Sequence, residues 1–185
     1  MVGTRVVLMV GAMLWATAAS AQQAFTGLAS ISVGAAHGGD VAERATTISG
    51  ASAVVEESGW GAELDFSYAM DFAGVGFADS DVSSGMINVL WMRPDPRWRP
   101  FVSGGVGIMR VRASIFEGVV AASTTDAAMN AGGGLLVVFN DIVGVRGDVR
   151  YFRYFQTHAG LPLVNSGPFD AWRTTIGVTY SWPVR

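Results

Sequence analysis

The chain has 185 residues, half of them hydrophobic, a formal charge of −3 and no cysteine. Without cysteine there are no disulfides and no thiol chemistry, and the mildly acidic balance argues against a nucleic-acid partner. Mean hydropathy is +0.37, yet beyond the N-terminus the longest apolar run is 132–139, far too short for a membrane helix.

The first stretch, MVGTRVVLMVGAMLWATAASAQQ, has a basic start at Arg5 and an apolar core over 6–15. Ala19-Ser20-Ala21 then supplies an A-x-A cleavage pattern. A core of about ten residues fits a signal peptide and cannot span a bilayer as a helix. Residues 1–21 are expected to be removed, leaving one domain over 22–185.

Strands follow in order. Over 25–34, Phe25, Ala29, Ile31 and Val33 alternate with Thr26, Ser30 and Ser32. A polar connection leads to a weaker strand at 47–56, then a short turn at Glu57-Ser58-Gly59. Strand three, 60–70, puts Trp60, Ala62, Leu64, Phe66 and Tyr68 opposite Glu63, Asp65 and Ser67. Residues 71–82 read as a loop and 84–92 as strand four. Its outer face is Ile87, Val89 and Trp91; its inner face mixes Asn88 with Met86, Leu90 and Met92. The stretch 93–100, RPDPRWRP, carries three prolines and reads as a stiff turn outside any ladder.

Strand five is expected at 101–113, with a glycine-rich centre at 104–107 that leaves its facing open. No helix pattern follows those glycines, so they are not a phosphate loop. A loop at 114–125 precedes strand six at 126–139 and strand seven at 142–155. Asn140-Asp141 between them suits a two-residue hairpin turn. On strand seven Val143, Val145, Val149 and Tyr151 oppose Arg146, Asp148 and Arg150. A last loop, 156–169, leads to strand eight at 170–182. Trp172, Thr174, Ile176, Val178, Tyr180 and Trp182 share one of its faces, and Arg173, Thr175, Thr179 and Ser181 the other.

Side chains on a strand alternate with period two, so each good strand has an apolar and a polar face. A soluble barrel turns the apolar face inward; a membrane barrel turns it to lipid and encloses the polar one. Two features favour the membrane form. The connections alternate long and short, as outer loops and tight turns do. Aromatics gather at both ends. Trp60, Trp91, Phe101, Phe139, Tyr180 and Trp182 lie turn-side; Tyr68, Phe72, Phe116, Tyr151, Phe155, Phe169 and Trp172 lie loop-side. Two such girdles suit two membrane interfaces. The fold expected is all-β: an eight-stranded antiparallel up-and-down transmembrane β-barrel.

An arginine at the midplane of the lipid face costs about 2–4 kcal/mol, so Arg146 and Arg150 must face the lumen. Glu63 and Asp65 have the matching parity on strand three. An internal network of Glu63, Asp65, Arg146, Asp148 and Arg150 is expected. Eight strands enclose an interior just wide enough for side chains, so a wide pore is not expected. Arg153 has lipid-facing parity but lies roughly 23 Å along the membrane normal from Val143. There it can snorkel and meet lipopolysaccharide phosphates.

The end of strand eight, with Thr175, Gly177, Tyr180 and Trp182 in the pattern polar, any, Gly, any, any, aromatic, any, aromatic, resembles the C-terminal signal of bacterial outer-membrane barrels. It departs from the family in continuing with Pro183-Val184-Arg185. With segments such as GWGAELDFSY and RPFVSGGVG, the chain resembles the small eight-stranded outer-membrane proteins of the OmpX, opacity-protein and OmpA-barrel kind. The resemblance implies residence in the outer membrane, recognition of strand eight by the barrel-assembly machinery, and contact with lipid and lipopolysaccharide. It also implies an extracellular ligand or surface met by the loops. Some barrels of this size are lipid A deacylases, whose pattern places Ser two residues after a His. Here Gly160 stands two residues after His158, so no enzyme activity is expected, nor any cofactor or metal. A structural and surface-contact role is the first reading. A narrow channel for small solutes and a soluble periplasmic lipid-binding barrel are the alternatives.

Overall fold

The computed structural model describes residues 25–39, 41, 44–70, 79–115, 120–155 and 169–184. The expected signal segment, His158 and Gly160 lie outside them. Eight strands form one closed antiparallel barrel in chain order: β1 (Phe25–His37), β2 (Ala45–Glu56), β3 (Trp60–Met70), β4 (Asp79–Met92), β5 (Trp98–Ile115), β6 (Val120–Val138), β7 (Val143–Tyr154) and β8 (Phe169–Val184). β1 and β8 close the ring, from Phe25 opposite Val184 to His37 opposite Trp172. Every strand therefore has two neighbours and no sheet edge runs through the barrel wall, which is what a spanning β-structure requires.

Three expectations about the connections are corrected. The segment 114–125 is not a long loop. β5 and β6 pair as far as Ile115 opposite Val120, so only 116–119 connect them. Small polar residues gave a loop signal there, but cross-strand pairing decides strand formation more than propensity does. The second correction concerns 93–100. Pro94 and Pro96 do sit in the turn, whereas Trp98, Arg99 and Pro100 already pair with Val137, Leu136 and Leu135. Pro100 lacks an N–H but still accepts, its carbonyl taking the Arg93 N–H at 2.9 Å. A strand's first residues tolerate proline for this reason.

The third concerns Asn140-Asp141. β6 ends at Val138 and β7 begins at Val143, so four residues, 139–142, make the turn. The Asn140 side-chain oxygen accepts the N–H groups of Ile142 (3.0 Å) and Val143 (2.7 Å), and Phe139 N–H reaches Val143 O at 3.0 Å. The side chain thus takes over bonds that a two-residue turn would make through backbone. Asp95 does the same in the proline turn, accepting from Arg97 (2.9 Å) and Trp98 (2.8 Å). Those two backbone donors, Trp98 first, hold its carboxyl below the usual carboxylate range.

Candidate functional site

The period-two alternation resolves into an outside and an inside. Outward side chains are apolar and open: Ile31 is 73 % exposed, Val106 67 % and Ile176 62 %. Inward side chains include Glu63, Asp65, Arg146, Asp148, Arg150 and Arg173, all buried. The polarity is the reverse of a soluble barrel.

β4 crosses the interior like a core sample. From the loop side inward it presents Met86, Asn88, Leu90 and Met92. Met86 belongs to a loop-side apolar cluster with Met109, Val111, Phe152 and Tyr154. Leu90 and Met92 belong to a turn-side cluster with Leu28, Phe101 and Leu136. The charged belt lies between. The polar part of the lumen is flanked by an apolar cluster on each side, to which the inward Met86, Leu90 and Met92 of β4 belong. The poor alternation of β4 is the trace of that layering.

Within the belt three carboxylates face three guanidiniums. Glu63 Oε1 accepts from Arg150 Nη2 at 2.7 Å and from Asn88 Nδ2 at 3.0 Å. Its Oε2 lies 2.7 Å from Arg146 Nη2. Asp65 takes a two-toothed grip from Arg173, at 2.9 and 2.8 Å. Asp148 accepts from Arg146 Nε at 3.1 Å and from the Thr175 hydroxyl at 3.2 Å, and Arg150 Nε stands 3.5 Å from its Oδ1. Paired, fork-shaped contacts of this kind are the strong form of ion pairing. Each plug adds an aromatic lid. Arg146 sits over the Phe101 ring at 4.3 Å, and Arg173 over the Phe152 ring at 4.9 Å.

The structure thus brings Glu63, Asp65, Arg146, Asp148 and Arg150 together. Sequence reasoning missed two members, Arg173 and Asn88. Both have inward parity, which was legible, but their partners stand 108 and 25 residues away. Asn88 meets Glu63 as its direct partner across β3 and β4, whereas Arg173 reaches Asp65 only because the ring closes. Phe101 is corrected as well. It was expected in the turn-side girdle, but it is buried in the plug. Trp98, absent from the expected girdle, is exposed, as the paired Trp60 and Trp91 are.

Glycine on β6 makes space for the belt. A Cβ added at Gly132 would run into the Val149 carbonyl and stand 2.8 Å from Arg150 Cγ; one added at Gly134 would run into the Gly147 carbonyl and stand 2.8 Å from the Phe101 ring. At these two inward positions backbone and side chains of the neighbouring strands both approach too closely for a side chain.

The remaining singled-out residues are spread around the wall, Thr175 on its inner side. Thr175 faces Asp148, Gly177 lies against Ser32 of β1, and Tyr180 is exposed and stacks on Trp182 at 5.8 Å. Trp182 is half-buried because its ring covers Gly27. Arg153 is half-buried on the outer face, in register with Met129 and Asp170. Exposed Arg110 and Arg112 share that face near the loop side, where Arg112 approaches Asp81 at 4.0 Å. His37 Nε2 lies 3.0 Å from the Thr174 hydroxyl. Among the described residues no group of His, Asp and Glu is placed to hold a metal.

No family model and no curated relative matches the chain. Solved structures do. Neisserial surface protein A is similar at 12 % identity and a TM-score of 0.61, over 85 % of this chain and 97 % of that one. Ail, the attachment invasion locus protein of Yersinia pestis, solved with the heparin analogue sucrose octasulfate, is similar at 13 % identity and a TM-score of 0.56, over 86 % and 99 %. The N-terminal β-barrel domain of Pseudomonas aeruginosa OprF is similar at 16 % identity and a TM-score of 0.51, over 88 % and 100 %. At such identities the likeness is one of fold: that of the small eight-stranded outer-membrane β-barrels.

Proposed function

We propose that the protein is exported by residues 1–21, assembles in the outer membrane, and works there as an anchored barrel whose outer surface makes contacts, with a lumen that does not conduct. One observation carries this reading: the charged belt lies between two apolar clusters that narrow the lumen above and below it, inside a wall whose outer face is apolar. A charge-lined path without constrictions would favour a channel; two greasy constrictions oppose the passage of ions and polar solutes. The outward apolar belt likewise disfavours the soluble lipid-binding alternative. Purified protein in a planar bilayer is expected to give no steady single-channel current. Steady currents abolished by substitutions at Glu63 or Arg150 would favour the narrow channel and sink this reading. Heat-modifiable gel mobility of membrane-extracted protein tests the barrel itself; recovery from the aqueous periplasmic fraction would point to the soluble alternative.

In this reading Thr175, Gly177, Tyr180 and Trp182 form the strand that the barrel-assembly machinery recognises. Arg153, with Arg110 and Arg112, offers guanidinium groups to lipopolysaccharide phosphates near the outer interface. Arg153→Ala is expected to lower the lipopolysaccharide that co-purifies with the barrel, and Arg110→Ala to lower it further. Unchanged co-purification in the double variant would remove that role. The long outer connections are left to meet a ligand or surface.

A further inference from the structure

The turn-side end holds an open cavity of about 230 Å³ that the membrane reading does not use. Its floor is the lower plug, with Leu28, Val55 and Met92 reaching it. Its rim is unevenly charged. The end of β2 and the turn after it contribute Glu56 and Glu57; across from them stand Arg93, Arg99 at the start of β5, and Asp95, whose Oδ1 is taken up by the Arg97 and Trp98 N–H groups. Among the described residues no salt bridge joins the two sets. Glu56 accepts a hydrogen bond from Ser58 at 3.1 Å, and Arg99 commits its Nε to the Asp95 carbonyl at 2.6 Å. Its two terminal nitrogens remain available.

The two turns are held at a fixed spacing. Met92 N–H donates to Gly59 O at 2.8 Å, tying one turn to the other. Gly59 has φ +91°, which side-chain-bearing residues rarely adopt, so the acidic turn keeps one shape. Pro94, Pro96 and the doubly accepting Asp95 stiffen the basic turn. Opposite charges held apart in a rigid frame are arranged for a guest that carries both complements. A lone anion would meet Glu56, Glu57 and Asp95, and a lone cation would meet Arg93 and Arg99, so a guest with both charges is favoured over either.

We propose that this mouth binds a small zwitterion of the amino-acid or dipeptide class, its carboxylate toward Arg93 and Arg99 and its ammonium toward Glu56 and Glu57. The cavity is smaller than the roughly 300–1,000 Å³ of drug-sized sites, which limits the guest to that size. The apolar floor takes a small aliphatic side chain.

The test uses the full barrel in micelles and the probe alanyl-alanine, followed by NMR titration. Saturable binding is expected. N-acetylation or C-amidation of the probe is expected to weaken it by about tenfold or more, near the ~1.4 kcal/mol that a tenfold change represents. Arg93→Gln with Arg99→Gln should bind the free acid and the amide alike. Glu56→Gln with Glu57→Gln should bind the amine and the acetylated probe alike. Absence of saturation, equal binding of blocked and free probes, or rim variants that keep both preferences would each overturn the proposal. The blocked-probe comparison needs no variant and is read in micelles, so it stands apart from the membrane assignment.

Discussion

Arg150→Met is expected to destabilise the barrel by about 3–5 kcal/mol, the range for removing one partner of a buried ion pair. Arg150 is fully buried and stands within reach of all three carboxylates: Glu63 at 2.7 Å, Asp148 at 3.5 Å and Asp65 at 3.7 Å. Methionine fills most of its length but carries no charge. Two guanidiniums would then face three carboxylates in an interior closed by plugs. Adding Glu63→Gln restores the balance, and the double variant should lose less than the two single losses combined. Urea unfolding followed by gel mobility would measure both. A loss of only about 0–1 kcal/mol, as for solvated pairs, would mean that water reaches the belt and that the plugs do not seal it.

The second large effect lies on the opposite face of the wall. Ile176→Arg is expected to cost about 2–4 kcal/mol in lipid, and Tyr180→Arg on the same strand only about 0–1, because the penalty fades toward the interface. Ile176 is paired with Val33 and Gly147 in the middle of the outer belt, whereas Tyr180 lies near the turn-side rim. Reversible unfolding from lipid vesicles would read the difference. If both substitutions stayed within about 0.5 kcal/mol, as exposed positions in water do, the outer face would not be meeting acyl chains.

The period-two pattern was legible wherever the lining is charged. β3 and β7 set acidic and basic residues against apolar ones, and their faces could be assigned without coordinates. Legibility failed where a residue's surroundings come from another strand. Met86, Leu90 and Met92 blurred the alternation of β4 because apolar side chains belong inside the barrel at its two ends. Ser114 and Thr125 looked like loop because nothing local reveals that they will face Asp79 and Arg110. Arg173 had the right parity, but its grip on Asp65 needs the ring to close. Phe101 shows the same limit: an aromatic at a strand end suits a girdle or a plug equally, and only its place opposite Met92 and Gly134 decides.

The equal numbers of guanidiniums and carboxylates in the belt also bear on voltage. A membrane potential does work in proportion to net charge, about 2.3 kcal/mol per elementary charge per 100 mV. Three positive and three negative groups in one belt sum to zero, so an applied field pulls some members up as hard as it pushes the others down. The belt is therefore electrically inert as a unit, and a potential gives it no lever for displacement along the axis.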